Sequence, residues 1–525
     1  MFNLLIRGGT VVDGTGAPPF AADVAVEGDT LRMLPAGTPA QAERVIHASG
    51  HIVAPGFVDI HTHAALRPFL PDGMAPFYQQ GVTTAVVGLD GLSTAPFRSA
   101  ARRNEALELL EGSEGSNLGP TQALNVAAYL DAVDKRSACN VATMVGNGTL
   151  RLAAMRWTGR APNSDELDAM ARLLDEAMEQ GALGLSSGLT YPPSSYAQRG
   201  ELARLCAVVR RYSGRYVAHL RAGAGDGLLD PLREALETAR DARVVAHITQ
   251  LASARPGGAD KLCGLMESAR REGLDATFDV NPYPFSGAPL AAYLPAWVFE
   301  GGLGALRRRV QDRRERARIV ADQVWHARDC SALLVTNLTH KRYAGFDGWP
   351  LESIAQALEH PVASVVCDLI AAEGLRPAVV SLGGNPVNIR RLLADPSCMV
   401  ASGGAPLGDH CNPRAFGTFP TVLGGLSRDE GVLTIQEAVR RMTSLPAKRL
   451  GLRDRGQLWN GLKADVAVFD PERVDGEATL RDPRAPPRGV AWVIVNGTPV
   501  RTPEGPTGAT PGRGLRRTGP LPKAA

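Results

Sequence analysis

The chain has 525 residues, of which 44% are hydrophobic and 21% charged, with a formal net charge of +3. That composition suits one large barrel with an accessory domain, and a charge so close to neutral excludes the electrostatic footprint of a nucleic-acid or acidic-membrane binder. Seven scattered cysteines form no C-x-x-C pair, and there is no leader-like or spanning apolar run, so the expectation is a cytoplasmic protein with reduced thiols and no membrane contact.

Residues 1–56 alternate apolar and polar positions between Gly-rich turns, in NLLIRGGTVVDGTG, ADVAVEGDTLRML and ERVIHASGHIVAPG. This predicts a small β-sheet unit. Matching segments, ADVAVFD and GVAWVIVNGTPV, lie near the other end, so one β-sandwich is expected from 1–56 and 452–505. Between them, apolar strands alternate with amphipathic helices, the pattern of βα units on a parallel sheet. In chain order the strand candidates are VDIHTH, TAVVGLD, VATMVGNG, ALGLSSGLTY, YVAHLRA, VVAHITQ, ATFDVNPYP and CMVASGGAP. Eight of them predict an α/β fold, a (β/α)8 TIM barrel over 57–451, with its active site at the C-terminal strand ends. The helix before the fourth strand takes Asn163 or Ser164 as N-cap and Glu166 in its first turn. It turns Leu167, Met170, Leu173, Leu174 and Met178 to one face and stops at Gly181. A segment at 286–396, between the last two strands, carries GALRRRVQDRRERARIVADQVW and LESIAQALEHPVASVVCDLIAAEG. It reads as a helical insertion capping the barrel. The Pro-, Gly- and Arg-rich tail, 506–525, predicts disorder.

The strand ends carry the chemistry. Period-two geometry puts His61 and His63 on one face of the first strand, pointing into the barrel. His219 ends the fifth strand and His247 the sixth. A lone histidine at such a position is most often a packed core residue. Four of the ten histidines at three barrel strands instead suggest a metal site, and imidazole with carboxylate suits zinc. The second strand ends in Asp90, whose carboxylate can bind one metal or bridge two; in LDG it can equally be a turn residue.

The stretches LLIRGGTVVDGTGAPP, HIVAPGFVDIHTH, GVTTAVVG, GALGLSSGLTYPPSSYA, DVNPYPFSG, NPRAFGTFPTVLGG and RLGLRDRGQLWNGLKADVAVFDPERV run from about residue 3 to 500. In that order they resemble the amidohydrolase superfamily, and within it the N-acyl-D-amino-acid deacylases (D-aminoacylases). The resemblance implies a β-sandwich and a barrel holding one or two ions of zinc or another divalent transition metal. His61, His63, His219 and His247 match the family's metal-binding histidines, and Asp90 stands where the family usually has a cysteine. Carboxylate for thiolate keeps a negative ligand but a harder one. Arg414, in NPR, resembles the clamp for the substrate carboxylate, and Tyr191, in TYPP, a substrate-contacting tyrosine. Several positions depart. Thr249 replaces the lysine of S-H-x-K, Asn281 the first tyrosine of Y-P-Y, and Asn147 the histidine of G-H-G. These three, with Ser402, are expected at the substrate wall. The largest departure is Ser402-Gly403-Gly404 in place of Ser-Asp-Gly. The family's aspartate there takes a proton from the metal-bound water and passes it to the leaving nitrogen. General acid–base help is typically worth about 10²–10⁴-fold, so its loss needs a substitute. Asp90, Asp409 and His410 are the candidates.

Three readings follow. The first is a metal-dependent hydrolase of an amide or related C–N bond in a small, carboxylate-bearing, N-acyl-amino-acid-like substrate, with a rebuilt site. The second is a non-hydrolytic metalloenzyme of specialised metabolism on the same scaffold: a lyase, a decarboxylase, or a condensing or acyl-transfer enzyme. The third is a non-catalytic binding protein, which the four histidines oppose, since buried unpaired imidazoles cost stability. The expected partner is a small molecule, and a homo-oligomer is an expectation of the superfamily.

Overall fold

The computed structural model describes residues 1–115, 123–221, 227–325 and 328–517. The eight expected strands are present and form a parallel barrel. They are Phe57–Asp59, Val82–Val87, Asn140–Thr143 continued by Val145–Gly146, Gly184–Gly188, Arg215–His219, Val245–Thr249, Ala276–Val280 and Cys398–Val400. Neighbours pair in register from Phe278↔Cys398 round to Val58↔Thr84. The ring closes where strand eight meets strand one. Thr62 bridges to Gly404, Gly403 N–H donates to His61 O at 2.8 Å, and His63 N–H donates to Gly404 O at 3.0 Å. These strands are buried nearly throughout because helices cover their outer face while side chains fill the interior. The helix Ser164–Glu179 shows how the covering layer is specified. Asn163 caps it in a reciprocal capping box with Glu166, and Met170, Leu173, Leu174 and Met178 are buried.

Both ends of the chain enter one ten-stranded sheet, in which Ile52–Pro55 pairs antiparallel with Val466–Phe469. Leu4, Ile6, Val24, Val26, Val466, Val468 and Ile494 share its core, so the sheet curls around residues from both termini. Two expectations are corrected. The segment after strand seven is not purely helical: Ser286–Pro289, Leu333–Thr336 and Ala378–Ser381 form a three-stranded antiparallel sheet. It packs with helices such as Leu303–Gln311 and Val362–Glu373 around a separate core. Its final helix, Pro386–Leu393, belongs to the barrel core instead, through Ile389, Leu392 and Leu393. The tail is also ordered as far as residue 517, whereas disorder was expected from 506. Gly505–Pro506 ends the large sheet, and Gly514–Leu515 pairs with Val141 and Ala142 of barrel strand three. A composition poor in large apolar residues still orders here because its backbone groups find strand partners. Residues 518–525 lie outside the described residues. No single helix among the described residues is long and apolar enough to cross a membrane.

Candidate metal centre

His61 and His63 follow strand one, and Asp90 follows strand two. His61 Nε2 lies 3.6 Å from Asp90 Oδ1 and His63 Nε2 lies 3.5 Å from Asp90 Oδ2. Asp90 adopts φ +53°, a left-handed conformation that Asp tolerates better than most residues. Glycines make room for its turn: a Cβ at Gly188 would collide with the Asp90 carbonyl, and one at Gly146 with that of Gly91. Burial pushes the Asp90 carboxyl up, but His219 and His61 outweigh that and hold it well below its usual range. Burial also lowers His61 more than Asp90 raises it, which favours the neutral imidazole a metal needs.

These residues fit a metal ion. Asp90 Oδ1 and His219 Nδ1 are buried polar atoms with no hydrogen-bond partner. Two donors about 2.1 Å from one ion at a tetrahedral angle stand about 3.4 Å apart, close to the two histidine–aspartate separations. His61, His63 and Asp90 place their ligand atoms within 4.8 Å of one another. His219 stands beside them, its ring 5.4 Å from that of Tyr191. His247 does not join them. Its Nδ1 lies 2.9 Å from Thr277 Oγ1 and its Nε2 2.8 Å from Asp279 Oδ2, so both ring nitrogens are engaged below the cluster.

His63, Asp90, Tyr191 and Arg414 line one cavity, whose wall is mostly apolar: Leu109, Leu110, Phe299, Val379 and Leu407. Arg414 opens the helix Arg414–Thr421 and is 3% exposed, yet its Nε and Nη1 have no hydrogen-bond partner. Six other expected site residues play different parts. Thr249 Oγ1 donates to Asp279 Oδ2 at 2.7 Å and also meets His61 Nδ1, so it orients the His61 ring instead of lining the cavity. Ser402 bonds Asp59 through both N–H and Oγ, tying strand eight to strand one. Asn147 Oδ1 accepts from Ser194 Oγ behind the Asp90 turn. Asn281 Oδ1 accepts from Tyr283 N–H at 3.1 Å and lines a second cavity, on the far side of Arg414. Asp409 is exposed and outside both cavities, and His410 is exposed and paired with Asp347 at 2.7 Å. Neither is placed to serve as a base at the cluster, because the loop carries their side chains outward.

Sequence reasoning missed Asp279, Asp59 and Glu114. Asp279 binds His247, Thr249 and the Gln250 N–H together. A carboxylate inside the apolar run ATFDV, at the same inward parity as the histidines, was the available signal. Burial pushes Asp59 up to about 7 against the hydrogen bonds from Ser402. Glu114, 3% exposed, places Oε1 3.9 Å from His63 Nδ1, while Oε2 accepts from Ala65 N–H at 2.7 Å. Only tertiary folding brings it there, and no local pattern announces it.

Comparison with known proteins agrees with this geometry. A model of the Amidohydrolase family matches residues 44–381 and 400–501. The chain is 34% identical to an N-acyl-D-glutamate deacylase of Alcaligenes xylosoxydans xylosoxydans over 98% of this chain and 96% of the relative. It is also 34% identical to a D-aminoacylase of the same organism, over 98% of each. Among solved structures, the N-acyl-D-glutamate deacylase of Bordetella bronchiseptica, complexed with zinc and a phosphonate mimic of the tetrahedral intermediate, superposes with a TM-score of 0.83. That pair shares 31% identity over 98% of this chain and 99% of the other.

Proposed function

The chain belongs to the amidohydrolase family, and from that premise we propose that it is a metal-dependent hydrolase cleaving the amide bond of N-acyl-D-amino acids. The observation that carries the reading is one cavity lined both by His63 and Asp90 of the His61–His63–Asp90 cluster and by the buried Arg414 guanidinium, whose Nε and Nη1 have no hydrogen-bond partner. His61, His63 and Asp90, with His219 beside them, would hold zinc or another divalent transition metal. When bound, the ion polarises the scissile carbonyl and acidifies a water. Arg414 takes the substrate carboxylate on its free N–H groups, which fixes the distance from that carboxylate to the cluster. Tyr191, packed on His219, bounds the same space. Asp90 turns one carboxylate oxygen toward His61 and the other toward His63, the arrangement of a ligand. Glu114 faces His63 Nδ1 at 3.9 Å and places a carboxyl group beside that ring. The apolar wall keeps bulk water from the reacting amide.

Deacylases similar over their whole lengths favour hydrolysis over the lyase, decarboxylase or acyl-transfer alternative. The test is incubation of metal-loaded protein with N-acyl-D- and N-acyl-L-amino acids, with release of free amino acid measured. Release from the D-series is expected. Inertness toward both series would overturn the reading.

A further inference from the structure

Gly403 stands where the resemblance calls for an aspartate, but the space beside it is filled. A Cβ built on Gly403 would collide with the Gln250 side-chain amide nitrogen and lie 3.2 Å from Arg414 Cζ. The backbone adds strain of its own, because φ +53° at 403 is left-handed, although Asp tolerates that conformation better than most residues. The occupant is Gln250. Its own φ of +53° turns the chain sharply at the end of strand six. Its N–H donates to Asp279 Oδ1 at 2.8 Å, which anchors that turn from below. The carboxamide Nε2 then reaches 3.5 Å from His61 Nε2. It therefore lies between His61 and the carboxylate clamp, and lines the second cavity, which meets the first at Arg414. In an N-acyl-α-amino acid the scissile amide is separated from the carboxylate by a single carbon, so a substrate held by Arg414 with its amide at the cluster runs beside that carboxamide.

We propose that Gln250 is a substrate-contacting residue that has taken over the strand-eight wall, its carboxamide hydrogen-bonding the amide group of the substrate between His61 and Arg414. The proposal rests on the hydrolase reading above. A carboxamide offers a donor and an acceptor and carries no charge. The wall that would carry a carboxylate is thereby neutral, and the carboxyl groups that line the cavity are Asp90 and Glu114, both beside His63.

The test uses metal-loaded full-length protein and an N-acyl-D-amino acid, with wild type, Gln250→Ala, Gly403→Asp and the double variant. Gln250→Ala is expected to raise KM about fivefold to tenfold, with metal content per chain unchanged by atomic emission. Gly403→Asp alone is expected to lower Tm, and Gln250→Ala in the same chain to restore it, because the new carboxylate then has the vacated space. Four results overturn the proposal. They are an unchanged KM in Gln250→Ala, a fall in its metal content, strictly additive Tm changes in the double variant, and a wild type inert toward every N-acyl amino acid. The last sinks the hydrolase reading as well; the first three leave that reading standing.

Discussion

Asp90 and Arg414 show how single residues set the chemistry. Asp90→Asn keeps the left-handed turn, since Asn also tolerates φ +53°, but removes the charge that His61 and His63 face. Metal content by atomic emission is expected to fall from stoichiometric to near zero, and amide hydrolysis with it. Arg414→Lys keeps the charge and loses the fork that binds a carboxylate in bidentate fashion. Hydrogen bonds to charged groups contribute about 1.5–3 kcal/mol, so KM for an N-acyl amino acid should rise about tenfold to a hundredfold while metal content holds. The closeness of His61 and His63 was legible in the sequence because H-x-H at a strand end fixes both side-chain direction and spacing. His247 was legible as an inward residue but not as one held by Thr277 and Asp279, because that depends on the facing strand.

At the level of elements, the eight strands and the capped helix at Ser164–Glu179 could be read because their patterns are local: apolar runs, a Ser/Asn cap, a Gly stop. Asn163→Ala should cost about 1 kcal/mol in denaturant unfolding, the usual contribution of a cap. Arg160 and the Asn163 N–H hold Glu166 down at about 2. Its folded value is depressed, so its contribution is present above the ordinary value of 4.5 and is lost as pH falls toward 2. The Asn163→Ala cost should therefore be the same at pH 6 and pH 8, and a difference between them would show that another group controls the cap. The three-stranded sheet was not legible. Its strands are four residues each, and LLVT and AVVS are too short to distinguish from buried helix segments by periodicity. They become strands only by pairing across long separations.

On the scale of the whole molecule, barrel and terminal sheet are joined by a buried polar knot that no motif announces. Asp465 accepts from Asn140 Nδ2 of barrel strand three at 3.1 Å, from Asn496 N–H at 2.8 Å, and from Arg455. Asn496 Nδ2 returns to Asn140 Oδ1 at 2.7 Å. Asp465→Ala leaves the Arg455 guanidinium, 2% exposed, without its buried partner. It should cost about 3–5 kcal/mol, read as a lowered denaturant midpoint; a change under about 1 kcal/mol would mean that Arg455 is held by Asp454 alone. Composition and alternation exposed the shared sheet at both ends, because each half repeats a local pattern; the knot is invisible in sequence because its members are far apart. The pairing of Ile52–Pro55 with Val466–Phe469, and of Gly514–Leu515 with strand three, also sets an order of events in time. A ribosome adds about 5–20 residues per second, so the first-made strands wait tens of seconds for partners made almost last. Through that interval their edges are open to other chains, and a nascent molecule of this protein depends on protection until its final segment emerges.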